Sequence, residues 1–142
     1  MLIAIDHGNK QIKTVNCQPF MSGLIESDIR PFGEEVLEYN GKFYSLSEQR
    51  IPYRRDKTDD DRYFVLTLFA IAYELETKGW YSTDVLSVQL AVGLPPAHYG
   101  TQENAFTRYF SGRASSVLRF TEGLTPFKLT MWPVFPNPMP RL

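Results

Sequence analysis

From Tyr63 to Leu75 the chain reads Tyr-Phe-Val-Leu-Thr-Leu-Phe-Ala-Ile-Ala-Tyr-Glu-Leu, apolar on nearly every side of any helix it forms. A helix with no wide polar face cannot lie on a surface, and must be buried against a sheet on one side and a second layer on another. Thr58 can cap its start, Asp59, Asp60 and Asp61 suit the positive end of a helix dipole, and Gly79 can close it at C′. The spacing therefore predicts a core helix from roughly Asp59 to Lys78, and the aspartates are read as helix-start chemistry rather than a metal site. At 142 residues the chain is the size of one domain, and 43% hydrophobic with 14% aromatic residues suits a packed core.

Charge and cysteine content narrow the function. Fifteen basic against sixteen acidic residues give a net charge of −1, so nothing attracts nucleic acid or an acidic membrane in bulk. Cys17 is the sole cysteine and there are two histidines, which leaves no internal disulfide and no zinc-type ligand set. Met1 leads directly into a strand-like run without a basic leader, and no apolar stretch approaches the roughly 20 residues of a membrane span, so the expected location is cytoplasmic.

The most chemical stretch is the first. Leu2 to Ile5 and Ile12 to Val15 read as two strands joined by a tight polar turn, Asp6-His7-Gly8-Asn9-Lys10-Gln11. Gly8 can take a positive φ and lets an anion approach the main-chain N–H groups of Gly8, Asn9 and Lys10. Asp6 is a hard oxygen ligand suited to Mg²⁺ through water, and Lys13 returns on the second strand as a compact cation within reach of a phosphate. Taken alone the spacing D-x-G-x-x-x-x-K is a weak signal, and a plain hairpin with a surface Asp and Lys is the better reading of it.

Downstream, residues 16–23 read as a loop with Cys17, Pro19 and Gly23, followed by a short run through Ser27-Asp28-Ile29. Cys17 is read as a packing or loop thiol, since no histidine lies near it in sequence. Asn40-Gly41 between Val36–Tyr39 and Lys42–Leu46 favours a type I′ hairpin. Residues 47–57, with Arg50, Arg54, Arg55 and Lys57, read as a solvated loop. Val85–Val92 is a buried strand stopped by Gly93-Leu94-Pro95-Pro96; His98 after it, like His7, lacks a visible ligand set. Gln102–Phe110 has helical spacing, Ser116–Phe120 and Phe127–Val134 read as strands, and the prolines at 136, 138 and 140 forbid regular structure in the tail.

Four of these segments in this order, Ile5–Lys13, Asp56-Lys57-Thr58 with the apolar helix, Val92–Pro96 with His98-Tyr99-Gly100, and Val134–Met139, resemble the actin-like ATPases. The likeness is strongest to the N-terminal half of the ParM-like plasmid-segregation actins, and it covers nearly the whole chain. It implies an α/β, ribonuclease H-like actin-type ATPase domain, with a mixed five-stranded sheet, helices and a small hairpin subdomain. It implies ATP and Mg²⁺ as cofactors, with Asp6 orienting the metal shell and acting in catalysis, and Gly8, Asn9, Lys10 and Lys13 holding the phosphates. Family members carry Glu or Gln after the Phe-Pro step, where it orients or activates the attacking water; here Asn137 stands there, and an amide can hydrogen-bond water but cannot act as a base. Residues 1–142 are then a single N-terminal domain, with the family's second nucleotide-binding domain absent from this chain, so that the chain alone is weak or inactive. Implied partners are further copies, in filaments, and a DNA-binding adaptor protein, with no direct contact to nucleic acid or membrane. The alternative reading is a non-enzymatic interaction module that keeps the actin-like fold.

Overall fold

The computed structural model describes residues 2–7, 11–32, 35–49, 61–79, 86–93, 105, 108–110, 115–120 and 127–134. Its core helix, α1, spans Arg62–Thr77, and every residue from Tyr63 to Ala72 is buried, Phe69 and Ile71 included. The start departs from expectation. Asp61 stands at the N-cap without a side-chain capping bond and no acid lies in the first turn, while residues 58–60 fall outside the described ones. One of the N–H groups that a helix start leaves without an internal partner, that of Phe64, donates instead to the Tyr109 hydroxyl at 2.9 Å. At the other end Gly79, at φ +62°, donates to the Glu76 carbonyl at 3.0 Å, as the C′ position asks. Residues 105 and 108–110 are helical, inside the segment expected to form a second helix.

Around α1 runs the sheet: β1 (Leu2–His7), β2 (Gln11–Thr14), β3 (Phe20–Met21), β4 (Leu24–Ser27), β5 (Leu37–Tyr39), β6 (Lys42–Leu46), β7 (Leu86–Gly93), β8 (Ser115–Phe120) and β9 (Phe127–Val134). Among the described residues these nine strands hydrogen-bond in the order β3-β2-β1-β7-β9-β8-β5-β6-β4, where about five were expected. The first two form the expected antiparallel hairpin, while β7 is parallel to β1 and β9 parallel to β7. Ile3 and Ile5 of β1 and Ile12 of β2 are buried in the α1 core, and Asp6 and Lys13 are exposed. Pro133 pairs with Leu90 of β7 beyond the stretch of β9 that β8 reaches, so a residue without an N–H sits where the strand has one neighbour.

The two edges of this sheet, β3 and β4, are consecutive in the chain, with only Ser22 and Gly23 between them. Such an order is possible only if the sheet curls until its edges come together. Both limbs of the curl touch the helix: Phe20 of β3 meets Tyr73 edge to face at 5.6 Å, and Tyr39 of β5 packs on Phe64 at 5.3 Å. The second layer demanded by the apolar helix is thus partly the same sheet folded over it, completed by Tyr109 and Phe110.

The turn at Asn40 (φ +52°) and Gly41 (φ +76°) has the two positive φ values of a type I′ hairpin. Its strands do not stand apart, because Leu37 and Glu38 of β5 pair with Phe120 and Arg119 of β8. Of the short run through Ser27-Asp28-Ile29, only Ser27 belongs to a strand, β4, and a local contact ends it there: the Ser27 hydroxyl donates to the Ile29 carbonyl at 2.6 Å and accepts from its N–H at 3.2 Å, turning the chain. At the rim of the core-facing side of the β4–β6 pair, Lys42 Nζ lies 2.8 Å from Glu26 Oε1, and the hydroxyl of buried Tyr44 donates to the same oxygen at 3.4 Å. Burial first, then the Glu26 charge, pushes the Tyr44 phenol up to about 12.

Candidate functional site

Three parallel strands, β1, β7 and β9, lie side by side and end at the same border of the sheet, at His7, Gly93 and Val134. In open α/β sheets the carboxyl ends of parallel strands are where ligands gather, because the chain leaves the sheet there in loops free to shape a site. Asp6 sits at this border, level with Lys13 of β2 on one side and Gly93 of β7 on the other. Directly opposed residues of an antiparallel pair present their side chains on the same face, with Cβ atoms about 5 Å apart. The outer face, away from α1, therefore carries an exposed carboxylate and an exposed ammonium as neighbours. Of the sequence-predicted site, the structure brings together Asp6 and Lys13. Gly8, Asn9, Lys10, Asn137 and His98 lie outside the described residues. Among those described, no cluster of three or more His, Cys, Asp or Glu side chains could hold a metal ion, and no helix is long and apolar enough to cross a membrane.

One chemically active residue escaped the sequence reading. Glu74 of α1 is 3% exposed, a carboxylate on a helix whose other buried side chains are, Thr67 apart, apolar or aromatic. Its Oε1 accepts the main-chain N–H of Asn16 and its Oε2 the Asn16 side-chain amide, each at 2.9 Å. The Cys17 thiol beside it shares a 3.5 Å hydrogen bond with the Thr77 hydroxyl. Thr14 Oγ1, buried and without a hydrogen bond of ordinary geometry, also faces the carboxylate. Burial by itself would raise the pKa of Glu74, but the two Asn16 bonds, aided by Thr14 and Cys17, outweigh it and hold the carboxyl below its usual 4.5. The signal available in the sequence was a lone acid at an inward position of an apolar helix. Its neighbour Tyr73 donates to Glu35, just ahead of β5, and burial followed by that carboxylate raises its phenol well above the usual range.

A depressed folded-state pKa has a definite sign in stability. The contribution of Glu74 is complete above 4.5 and is lost as pH falls through the lower folded-state value, because the unfolded chain then binds the proton first. Urea midpoints measured downward from neutral pH are expected to fall below pH 4.5, and to fall less steeply in Glu74→Gln. An identical acid slope in the two proteins would show that Glu74 carries none of it.

A family model described as the N-terminal domain of actin-like proteins matches residues 4–139. Solved structures align along nearly the whole chain. The apo ParM of psk41 does so with a TM-score of 0.69 and 15% identity over 94% of this chain and 49% of that one. The filament structure of AlfA from the B. subtilis plasmid pLS32 follows with 0.64 and 19% over 96% and 55%, and Bacillus thuringiensis ParM with AMPPNP with 0.56 and 12% over 97% and 44%. At these identities the likeness is one of fold, and the chain spans about half the length of those structures. No curated protein matches the sequence.

Proposed function

The chain belongs to the actin-like proteins, as their N-terminal domain, and from that premise we propose that it supplies one side of an ATP–Mg²⁺ site at the carboxyl ends of β1, β7 and β9. The observation that carries this reading is the exposed Asp6–Lys13 pair at the border where three parallel strands end. The residues fit the group. An exposed carboxylate suits a water-held Mg²⁺, and an exposed ammonium across the ladder suits a phosphate oxygen. In this reading Gly8, Asn9 and Lys10 add main-chain N–H groups, and Asn137, three residues beyond the end of β9, orients water. Bacillus thuringiensis ParM with AMPPNP shares the fold, which supports a nucleotide as the ligand. When bound, the metal would spread the charge of the phosphates, and this chain's own part is to orient that charge and neutralise it from one side.

The finer family picture follows the sheet order. We read β3-β2-β1-β7-β9 as the five-stranded ribonuclease H-like sheet and β4 to β6 as the hairpin subdomain. Self-association into filaments is proposed by likeness to AlfA, whose structure is a filament, with a DNA-binding adaptor as the further partner and the cytoplasm as the setting. A second reading, an interaction module without turnover, is favoured by the exposed apolar side chains Ile25, Ile29 and Phe32 on β4 and just beyond it.

Phosphoryl transfer needs positioning and charge stabilisation from several sides, and residues 1–142 offer one. The 142-residue chain is therefore expected to bind ATP–Mg²⁺ weakly, in a wet site, with negligible phosphate release. A titration followed by NMR should shift the amides around Asp6 and Lys13, and Lys13→Ala should weaken it by on the order of tenfold, the scale of one charged hydrogen bond. Shifts confined to another surface, or an unchanged Lys13→Ala titration, would refute the site. Micromolar binding with steady turnover by this chain would show instead that one side suffices.

A further inference from the structure

β2 is a short strand on which much depends. It has four residues, and it is held by three register pairs to β1 and two to β3. In a ladder with a period of two, a slip of one residue would carry Lys13 to the α1 face and Ile12 to solvent. Burial of Ile12 and of Thr14 Oγ1 opposes that slip through two side chains. Immediately past the strand, however, the chain meets Glu74. Both carboxylate oxygens are taken by a single residue, Oε1 by the main-chain N–H of Asn16 and Oε2 by its amide. A main-chain donor cannot follow a slipping chain as a flexible side chain can, so this contact fixes which residue stands at the helix. The helix is a rigid reference, because its inward residues are buried on all sides. A carboxylate is costly to bury unless its oxygens are satisfied, so the burial of Glu74 is explained by what it holds.

We propose that Glu74 is a positioning residue for the phosphate-facing side of the sheet: by pinning Asn16 it sets the register of β2 and keeps Lys13 level with Asp6. The consequence for ligand rests on the Asp6–Lys13 reading above; the register role does not. Glu74 touches no ligand in this scheme. It acts through the strand, from the face of the sheet opposite to the one that carries Lys13.

The test uses the 142-residue chain and three variants. Glu74→Gln keeps the shape but removes the charge, leaving both Asn16 bonds neutral and requiring the Asn16 amide to turn its oxygen towards the new donor. Asn16→Ala is the milder change, leaving the main-chain donor in place, and carries the same readouts if Glu74→Gln does not fold. Lys13→Ala removes the cation. Amide hydrogen exchange at Ile12, Thr14 and Asn16 is expected to quicken by on the order of tenfold in Glu74→Gln, the difference between a charged and a neutral hydrogen bond. Val88 and Leu90 of β7 keep their rates, and the cross-strand proximity of Asp6 and Lys13 weakens. ATP–Mg²⁺ affinity falls towards that of Lys13→Ala, and the double variant binds little worse than either single one, as for residues acting through one element. Equal quickening in β2 and β7 would show that Glu74 merely stabilises the domain and would overturn the proposal. So would unchanged β2 rates, or unchanged affinity in Glu74→Gln where Lys13→Ala loses it. If the β2 rates respond as expected while Lys13→Ala leaves the titration unmoved, the register role stands and the phosphate reading fails.

Discussion

Replacing Phe64 by alanine is expected to lower the unfolding free energy by about 3–5 kcal/mol, the range for a large aromatic removed from a closed core. Phe64 is fully buried and is the meeting point of three rings, Tyr39 at 5.3 Å, Tyr109 at 6.3 Å and Phe110 at 6.3 Å. Those rings come from β5 and from the second helical segment, so the void opens where separate parts of the chain join and no single side chain can fill it. A domain typically has about 5–15 kcal/mol in all, so roughly a fifth of it or more is at stake. Urea denaturation followed by circular dichroism gives the number, and Phe32→Ala is the control. Phe32 is wholly exposed, and its removal should shift stability by no more than about 0.5 kcal/mol. Equal effects at the two positions would contradict the packing described for Phe64.

Gly23→Ala should be nearly as damaging, for a different reason. A Cβ at position 23 would lie 2.2 Å from the Ser47 carbonyl oxygen and 2.3 Å from that of Gln49, both main-chain atoms that no rotamer change can move aside. The chain must shift at the very point where the Ser47 N–H donates to the Gly23 carbonyl at 3.0 Å. Overpacking of this kind costs about 1–3 kcal/mol, and here a hydrogen bond is put at risk as well. The expected result is a lower thermal midpoint together with faster amide exchange at Ser47. A variant as stable as the parent would mean that the end of β6 can back away from Gly23 without cost.

How far the sequence could be read depended on how local the causes were. The core helix was legible because its apolar residues surround it, and the β5–β6 hairpin because Asn40 and Gly41 accept positive φ where other residues resist it. Phe127–Val134 and the paired first strands were legible as apolar runs, and the family likeness emerged from the order of four segments. The curl was not, since β3 is two residues long and nothing near Pro19 or Gly23 announces a pairing made by residues far along the chain. Likewise one partner for the first turn of α1 is Tyr109, forty-five positions from Phe64, which nothing in the neighbouring sequence announces. For the candidate site, Asp6 and Lys13 could be named from residue type and spacing, and their level placement came from the register. Glu74 stayed hidden because its meaning lies in Asn16, fifty-eight positions away.

The curl also sets a sequence of events in time. Pairings such as Ile3 with Leu90 and Leu37 with Phe120 must gather distant chain before they return any energy, whereas α1 and the β1–β2 and β5–β6 hairpins are built from neighbours. A helix buried on all sides cannot be slid into a wound sheet afterwards. It has to be present as the former on which the strands are laid, so the ladders that shut late are the long-range ones, β1 with β7 and β5 with β8, while the short link at Ser22 and Gly23 holds the two edges together from the start.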